Sequence, residues 1–206
     1  MFLYIEYGDK EKDYLKKRDP ILGKAIDKYG HIYRATEDDL FVSVVTHIVG
    51  QQISMAAQKT ILKRLVARVG SIEVSKIATL DEDTLQSIGI TFRKASYIKE
   101  FADKILNGEF DIKSLHLKDD QEVIKELTKL NGIGVWTAEM IMLFCMRRSD
   151  VISYGDLAIR RGMMNLYNYE KLDKKVFDKH RTLYSPYGSV ASLYLWAVSK
   201  EVKGAI

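Results

Sequence analysis

The sequence predicts an all-α protein, and three observations support this fold class. The chain has only two prolines in 206 residues, and proline is costly inside helices. Its apolar residues recur mostly at helical spacing. The alternation of apolar and polar residues typical of strands is not sustained anywhere, and only Phe2–Tyr7 is a candidate for a short strand. We expect roughly nine or ten helices.

Two helices are expected near the end of the first quarter of the chain. An apolar stripe over Leu40–Val49 ends at Gly50. Ser54 then follows as the N-cap of a second helix, which runs to Val69 and is stopped by Gly70. Serine is a favoured N-cap and glycine a favoured residue just after a helix.

Three further helix starts carry capping residues. Asp81 is placed to cap a short helix that ends near Gly89. Thr91 is placed to start a helix that ends at Gly108, and Asp120 to cap the one after it. Side-chain oxygens at these positions can accept hydrogen bonds from the free N–H groups of the first turn.

The last part of the chain predicts three more helices. Val135–Met146 is apolar almost throughout, which is typical of a helix buried on all sides. Asp156 precedes the helical pattern of Leu157–Tyr167 as an N-cap. Ser185-Pro186 supplies a cap and a first-turn proline before Tyr187–Val202.

Composition limits the cofactors and partners that we expect. The chain has 32 Lys and Arg against 28 Asp and Glu, a net charge of +4, which favours a polyanionic partner only weakly. One cysteine, Cys145, can form neither an internal disulfide nor an iron–sulfur cluster. The four histidines lack metal-ligand spacing. We therefore expect no required cofactor.

The segment Leu130-Asn131-Gly132-Ile133-Gly134-Val135-Trp136-Thr137-Ala138 is the most informative stretch of the sequence. Gly132 and Gly134 stand between two helices, where both could adopt a positive φ. Such a turn presents backbone N–H groups beside a helix N-terminus, where they can bind a phosphate whatever the base sequence. On the glycines alone, an ordinary connection in a helical bundle is an equal alternative.

The flanking residues decide between these alternatives. The hairpin, its Trp136-Thr137-Ala138 and the later Asp156 resemble the helix-hairpin-helix and Gly-Pro-Asp signature of DNA base-excision glycosylases, in particular the 3-methyladenine DNA glycosylase II branch. Further matching segments are Asp19-Pro20-Ile21-Leu22, Val49-Gly50-Gln51-Gln52-Ile53-Ser54, and Ser185-Pro186-Tyr187-Gly188-Ser189 with Trp196. The usual hairpin proline is Asn131 here, and Tyr154-Gly155 replaces the usual Gly-Pro.

The resemblance implies two helical subdomains with an active-site cleft between them, and Asp156 facing Trp136 across it. The expected subdomains are residues 38–148, and residues 1–37 together with 149–206. A carboxylate at Asp156 would stabilise the positive charge that builds on the sugar as the glycosidic bond breaks. A helix cap without catalysis is the alternative, and the two roles are compatible. Asp150, the nearest competing acid, is expected at the surface.

Aromatic side chains are expected to bind the damaged base. Trp136 stands where other branches carry a nucleophilic lysine, and an indole cannot form a Schiff base. Cationic alkylpurines stack well on electron-rich rings. The candidates are Trp136, Trp196, Tyr154 and Tyr187, and core packing is the alternative role for each. Base binding is favoured for Trp136 and core packing for Tyr187, while the two roles are equal alternatives for Trp196. Met140 replaces a tyrosine of a relative, which leaves the base preference open.

The resemblance also assigns DNA contacts. Gln51, Gln52 and Ile53 form the loop that carries the family's intercalating wedge, which fills the gap left by a flipped base. A polar loop with Ser54 as cap is the alternative. Gly132, Gly134 and Thr137 belong to the phosphate-binding hairpin. Backbone carbonyls of Thr128, Leu130 and Ile133 match those that hold a monovalent cation, Na⁺ or K⁺. Gly188 replaces an arginine, so one contact would be lost.

These expectations describe a monofunctional DNA N-glycosylase that excises 3-methyladenine and 7-methylguanine from damaged double-stranded DNA in base excision repair. A glycosylase for oxidised or deaminated purines and a non-catalytic DNA-binding hairpin protein are the alternatives. No apolar run reaches about 18 residues, so no membrane span is expected. We expect a cytoplasmic monomer, nucleoid-associated in a prokaryote or nuclear in a eukaryote.

Overall fold

The computed structural model describes residues 4–201, and it confirms the all-α prediction. Over these residues it contains twelve α-helices, more than the nine or ten expected, and its only β-type pairing is an isolated bridge between Tyr4 and Ala35. Of the predicted strand Phe2–Tyr7, the first two residues lie outside the described range. The remainder forms that bridge alone, so the strand prediction is wrong there.

Helix bounds follow the capping residues closely. The helices are α1 Asp9–Arg18, α2 Pro20–Tyr29, α3 Leu40–Gly50, α4 Met55–Val69, α5 Val74–Ala78, α6 Glu82–Ser87, α7 Phe92–Leu106, α8 Asp120–Leu127, α9 Val135–Phe144, α10 Leu157–Tyr167, α11 Lys174–Tyr184 and α12 Gly188–Val198, with a 3-10 turn at Ser114–Leu117. In the described range 4–201, no helix is long and apolar enough to cross a membrane.

The chain folds into two compact units. The central unit comprises Glu37–Ile141, and the terminal unit comprises Met1–Thr36 with Met142–Ile206. The boundaries expected from the sequence were at residues 38 and 148. Helix α9 runs through the second observed boundary, so its last residues belong to the terminal unit.

The central unit packs α7 against α3, α5 and α6. At its centre the rings of Phe41 and Phe101 stack with centroids 5.2 Å apart. The predicted N-caps Ser54, Asp81 and Thr91 are confirmed, since each accepts a hydrogen bond from a backbone N–H of its helix.

The predicted cap Asp120 is wrong by one residue, because Asp119 caps α8. Asp119 accepts a hydrogen bond from the backbone N–H of Glu122 at 2.9 Å, and its own N–H donates to the Glu122 carboxylate at 3.2 Å. This reciprocal pair requires the two acids to be three residues apart, a spacing that Asp120 does not have with Glu122.

The terminal unit packs α10 against α12 and α2 against both. Gly162 makes the contact of α10 with α12 so close that a Cβ there would lie 2.0 Å from the carbonyl oxygen of Leu195. The backbones of α10 and α12 therefore touch directly near the middle of α10.

A buried polar network joins α2, α10 and α11. Asp19 caps α2 by accepting from the N–H of Leu22 at 3.1 Å, and its other oxygen accepts from the Tyr167 hydroxyl at 2.5 Å. The Tyr184 hydroxyl lies 2.6 Å from that of Tyr167. Burial raises the pKa of Asp19, but the nearby His180 ring, 3.7 Å away, and hydrogen bonds from Tyr167 and Leu22 outweigh it and hold the pKa below its ordinary value.

The predicted start of α12 is wrong. Ser185 follows the end of α11 and Pro186 lies in the connection, because α12 begins only at Gly188. The Asp150 carboxylate accepts hydrogen bonds from the Ser185 hydroxyl at 2.6 Å and the Gly188 N–H at 3.0 Å. A carboxylate from another segment thus fills the role expected of a local serine cap. Of the predicted end, Val202 lies outside the described residues.

Candidate functional site

In the terminal unit, Asp156 is held at the N-terminus of α10. Its Oδ1 accepts hydrogen bonds from the N–H groups of Ala158 at 2.8 Å and Ile159 at 2.9 Å, which confirms the predicted N-cap. A third donor, Nε1 of Trp196, lies 3.2 Å from the same oxygen. The side chain is 7% exposed. The helix start and the indole therefore fix this carboxylate in one orientation.

Trp196 has a contact that the sequence did not indicate. Its ring stacks on Phe144, with centroids 5.5 Å apart and planes 20° apart, while its N–H reaches Asp156. From the sequence, base stacking and core packing were equal alternatives for Trp196. The structure gives it a third role, which is to position the carboxylate.

Asp150 is half-buried and its carboxylate accepts two hydrogen bonds, so the prediction of a surface position is wrong. The same carboxylate explains why Gly188 replaces an arginine. A Cβ at Gly188 would lie 2.8 Å from Oδ1 of Asp150 and 3.3 Å from a methyl group of Ile152. A side chain has no room there without displacing Asp150.

Tyr154 and Tyr187 both pack against the core of the terminal unit. The Tyr154 ring meets Phe177 edge-on at 5.1 Å, and the guanidinium of Arg160 lies 5.1 Å from its centroid. Tyr187 meets Tyr14 edge-on at 5.1 Å. Packing accounts for both positions, and a role in base binding stays a prediction.

In the central unit, the hairpin turn depends on Gly132. Its φ is +84°, and a Cβ would lie 2.5 Å from the ring of Tyr97. The expectation of a positive φ at Gly134 is wrong. Gly134 has no positive φ and directly precedes α9, and its carbonyl accepts a hydrogen bond from the N–H of Ala138 at 2.9 Å. A Cβ at Gly134 would meet nothing within 4 Å. Gly134 is therefore open on its Cβ side, which leaves room for a ligand close to its backbone.

Two side chains tether this hairpin. Nδ2 of Asn131 donates to the Glu100 carboxylate on α7 at 2.7 Å. Nε2 of Gln51 donates to the Gly132 carbonyl at 2.6 Å. Gln51 therefore joins the proposed wedge loop to the hairpin, a contact between segments that are 81 residues apart in the chain.

The wedge loop is a tight turn after α3. Gln52 is exposed and has a φ of +57°, a left-handed conformation that is uncommon for residues other than glycine. Ile53, beside it, is 37% exposed. Nζ of Lys94 holds the turn from below by donating to the carbonyls of Val49 at 2.8 Å and Gln51 at 2.6 Å. Burial lowers the pKa of Lys94.

Sequence reasoning missed Lys94. A lysine in the first turn of a helix normally indicates a solvated face, and nothing in the local pattern places it under a loop more than forty residues earlier.

A cavity of about 480 Å³ lies between this loop and the start of α9. It is lined by the hairpin-side residues Trp136 and Thr137, and by His47, Gln51, Gln52 and Gln58. Trp136 is 44% exposed, whereas Thr137 is 5% and Met140 3% exposed. The cavity is in the size range of small-ligand pockets, and it has room for a nucleobase beside the indole. Met140 lies in the core.

The three carbonyls predicted to hold a monovalent cation lie around the hairpin. The carbonyls of Thr128, Leu130 and Ile133 flank the hairpin turn, and that of Leu130 accepts from Ile133 N at 3.1 Å. A monovalent ion at these carbonyls stays a prediction. Cys145 is 6% exposed, as expected for an apolar segment.

The fold and the two sets of side chains define a helical protein with a hairpin suited to phosphate and a rigidly held carboxylate. The model of the HhH-GPD superfamily of base excision DNA repair proteins matches residues 45–186. The chain belongs to this helix-hairpin-helix superfamily, as the sequence resemblance predicted.

Similar proteins include the DNA-3-methyladenine glycosylase 1 of Schizosaccharomyces pombe, 27% identical over 184 residues, which are 87% of this chain and 81% of that protein. A crystal structure of a DNA-3-methyladenine glycosidase from Bacillus halodurans superposes with a TM-score of 0.85 at 32% identity, covering 97% of this chain and 93% of the other. The Schizosaccharomyces pombe 3-methyladenine DNA glycosylase in complex with abasic DNA superposes with a TM-score of 0.81 at 25% identity, covering 94% and 98%.

Proposed function

We propose that this chain is a monofunctional DNA N-glycosylase that flips alkylated purines, of the 3-methyladenine and 7-methylguanine type, out of double-stranded DNA and excises them in base excision repair. The observation that carries the proposal is the Asp156 carboxylate, nearly buried and fixed by three donors on Oδ1. The activities named for the similar proteins from Schizosaccharomyces pombe and Bacillus halodurans support the same reaction.

The proposed chemistry needs an anion but no strong acid. The bond between C1′ and the purine nitrogen breaks, and its electron pair leaves with a base that alkylation has already made cationic. The sugar then carries the positive charge, which the Asp156 carboxylate stabilises. Water adds at C1′ and loses a proton, and Asp156 can orient that water. A carboxylate locked in place requires no reorganisation as the charge develops.

The indole of Trp136 sets the outcome of the reaction in this proposal. It has no amine that could attack C1′, so the product is an intact abasic strand. Its half-exposed ring offers an aromatic face to a cationic base. Release of the base without strand cleavage is therefore expected.

The DNA partner would be held through its backbone and its stacked bases. The open N–H groups near Gly132 and Gly134 suit a phosphate, aided by a monovalent cation at the carbonyls of Thr128, Leu130 and Ile133. Gln52 would enter the gap left by the flipped nucleotide. A monomer acting on damaged double-stranded DNA in the cytoplasm or nucleus, without another cofactor, completes the proposal.

The deciding experiment is incubation of the full chain with methylated DNA. Chromatography of the released bases should show 3-methyladenine and 7-methylguanine. The product strand should stay intact until alkali cleaves it at the abasic sites. Binding to lesion-containing duplex without base release would instead indicate a non-catalytic hairpin protein, and strand nicks without alkali would contradict the monofunctional assignment.

A further inference from the structure

His47 lies on α3, and one of its ring nitrogens, Nδ1, is a hydrogen-bond donor. Its Nδ1 lies 2.8 Å from the carbonyl oxygen of Ser43, four residues earlier on the helix. A carbonyl only accepts, so Nδ1 carries the proton in this bond. In the neutral ring, Nε2 is then a hydrogen-bond acceptor.

His47 is held in the neutral form. Burial lowers the pKa of His47, and the bond to the Ser43 carbonyl offsets this only in part. Among the described residues, Nε2 of His47 has no hydrogen-bond partner. Two side-chain polar atoms are fully buried without a partner, Thr36 Oγ1 and Arg160 Nε, and Nε2 of His47 is not one of them. This acceptor is therefore accessible from outside the core.

The accessible face of His47 belongs to the cavity that Trp136 and Gln52 also line. A neutral acceptor there is unsuited to a phosphate, which offers only oxygen acceptors, and suited to an N–H donor. At position 6, adenine carries an amino donor and guanine a carbonyl acceptor. The position-6 group therefore distinguishes the two classes of alkylpurine for such an acceptor.

We propose that Nε2 of His47 accepts a hydrogen bond from the 6-amino group of the flipped alkyladenine, which makes His47 a specificity-determining residue for adenine-derived lesions. The inference rests on the proposed function, since it needs a purine in this cavity. Guanine lesions would bring an oxygen lone pair against the Nε2 lone pair and lose that bond.

Methylated DNA tests the inference within one sample, because it releases both bases. His47→Phe keeps a planar ring but removes the acceptor, while His47→Gln restores an acceptor through its amide oxygen. In His47→Phe the ratio of 3-methyladenine to 7-methylguanine release should fall about three- to tenfold, the worth of one neutral hydrogen bond. His47→Gln should recover part of it. An unchanged ratio in His47→Phe, with both variants melting near the parent, would overturn the inference.

A second readout separates this inference from the proposed function. Quenching of tryptophan fluorescence by the free bases 3-methyladenine and 7-methylguanine measures occupancy of the cavity without catalysis. If the parent releases no base but binds 3-methyladenine about three- to tenfold more tightly than His47→Phe does, the proposed excision fails and the role of His47 stands. Equal binding by parent and variant, or no binding by the parent, would overturn the inference.

Discussion

Replacing Asp156 by asparagine or alanine separates the two roles proposed for its carboxylate. Asparagine keeps an oxygen that can accept from the N–H groups of Ala158 and Ile159, so the cap survives and the charge is lost. Alanine removes both. Loss of an N-cap costs about 1 kcal/mol, which for a chain of this size lowers Tm by about 2–4 °C. Trp196 is half-buried and its N–H bond to Asp156 is long at 3.2 Å, so we expect its loss to add little.

Catalysis should follow the charge instead of the cap. Removing one preorganised electrostatic group from a transition state costs about 10²- to 10³-fold in rate, or about 3–4 kcal/mol. Asp156→Asn should therefore lose base release by at least this factor while melting within about 1 °C of the parent. Asp156→Ala should lose both. Single-turnover release of 3-methyladenine and thermal melting by circular dichroism measure the two effects.

The reasoning would be refuted by Asp156→Asn retaining near-parental turnover, since the charge would then be irrelevant. An Asp156→Asn protein that melts as low as Asp156→Ala would refute the structural half, because the amide would have failed to replace the capping oxygen.

Four other changes have expected outcomes. Trp196→Phe keeps a ring against Phe144 but removes the N–H donor to Asp156, the proposed catalytic carboxylate. Single-turnover release should therefore slow about three- to tenfold, and a parental rate would contradict the positioning role. Gly162→Ala forces α10 and α12 apart, which should lower Tm by about 2–12 °C; a parental Tm on calorimetry would show that they can separate freely. Gln52→Gly should melt about 2–4 °C above Gln52→Ala, because glycine adopts the left-handed turn without strain. Both variants should bind a lesion duplex more weakly than the parent in fluorescence anisotropy. The reverse order of melting would contradict the strained turn. Asp19 is protonated more readily in the unfolded chain, so its contribution to stability is present above about pH 4 and is lost as the pH falls through its lower folded pKa. Between pH 7 and pH 3, the Tm of the parent should therefore fall more steeply than that of Asp19→Asn. Parallel curves of Tm against pH would exclude this contribution.

The helix starts were predictable because capping is local. Ser54, Asp81, Thr91 and Asp156 each accept from an N–H two or three residues later, so the whole interaction can be seen in a few letters of sequence. The start of α12 could not be predicted this way. Its first N–H donates to Asp150, 38 residues earlier, and only the folded chain brings the two together.

Helices α1 and α11 were not anticipated from apolar spacing. Helix α1, Asp9–Arg18, has a single buried residue, Leu15, among ten. Helix α11 is also rich in charged residues, and its basic part had the pattern of a solvated surface. A helix needs a broad apolar face to be recognised by periodicity. Helix α1 buries too narrow a face for this. Helix α11 buries Phe177, His180 and Tyr184 along one face, but its many charged residues obscure the pattern.

The candidate site shows the same division. Asp156 and Trp136 were found through motifs that are each only a few residues long. Sequence motifs did not reveal Lys94, His47 or the contact of Trp196 with Asp156. Each of these acquires its role from a contact or cavity made with another segment. A lysine or a histidine on a helix has no local signature of such a role.

The hairpin explains how a missing proline can be tolerated. A proline at the position of Asn131 would restrict the backbone covalently. Asn131 instead donates to Glu100 on α7, and the next residue is held by Gln51 through its carbonyl and by the ring of Tyr97. These contacts lie on the α7 side and the wedge-loop side of the turn, and Gly134 is left open. Rigidity that a proline would supply alone is therefore distributed over side chains of two other segments, and one of them, Gln51, belongs to the wedge loop. Displacement of the wedge loop by DNA would then shift the turn that we propose binds phosphate, a coupling that proline would not provide.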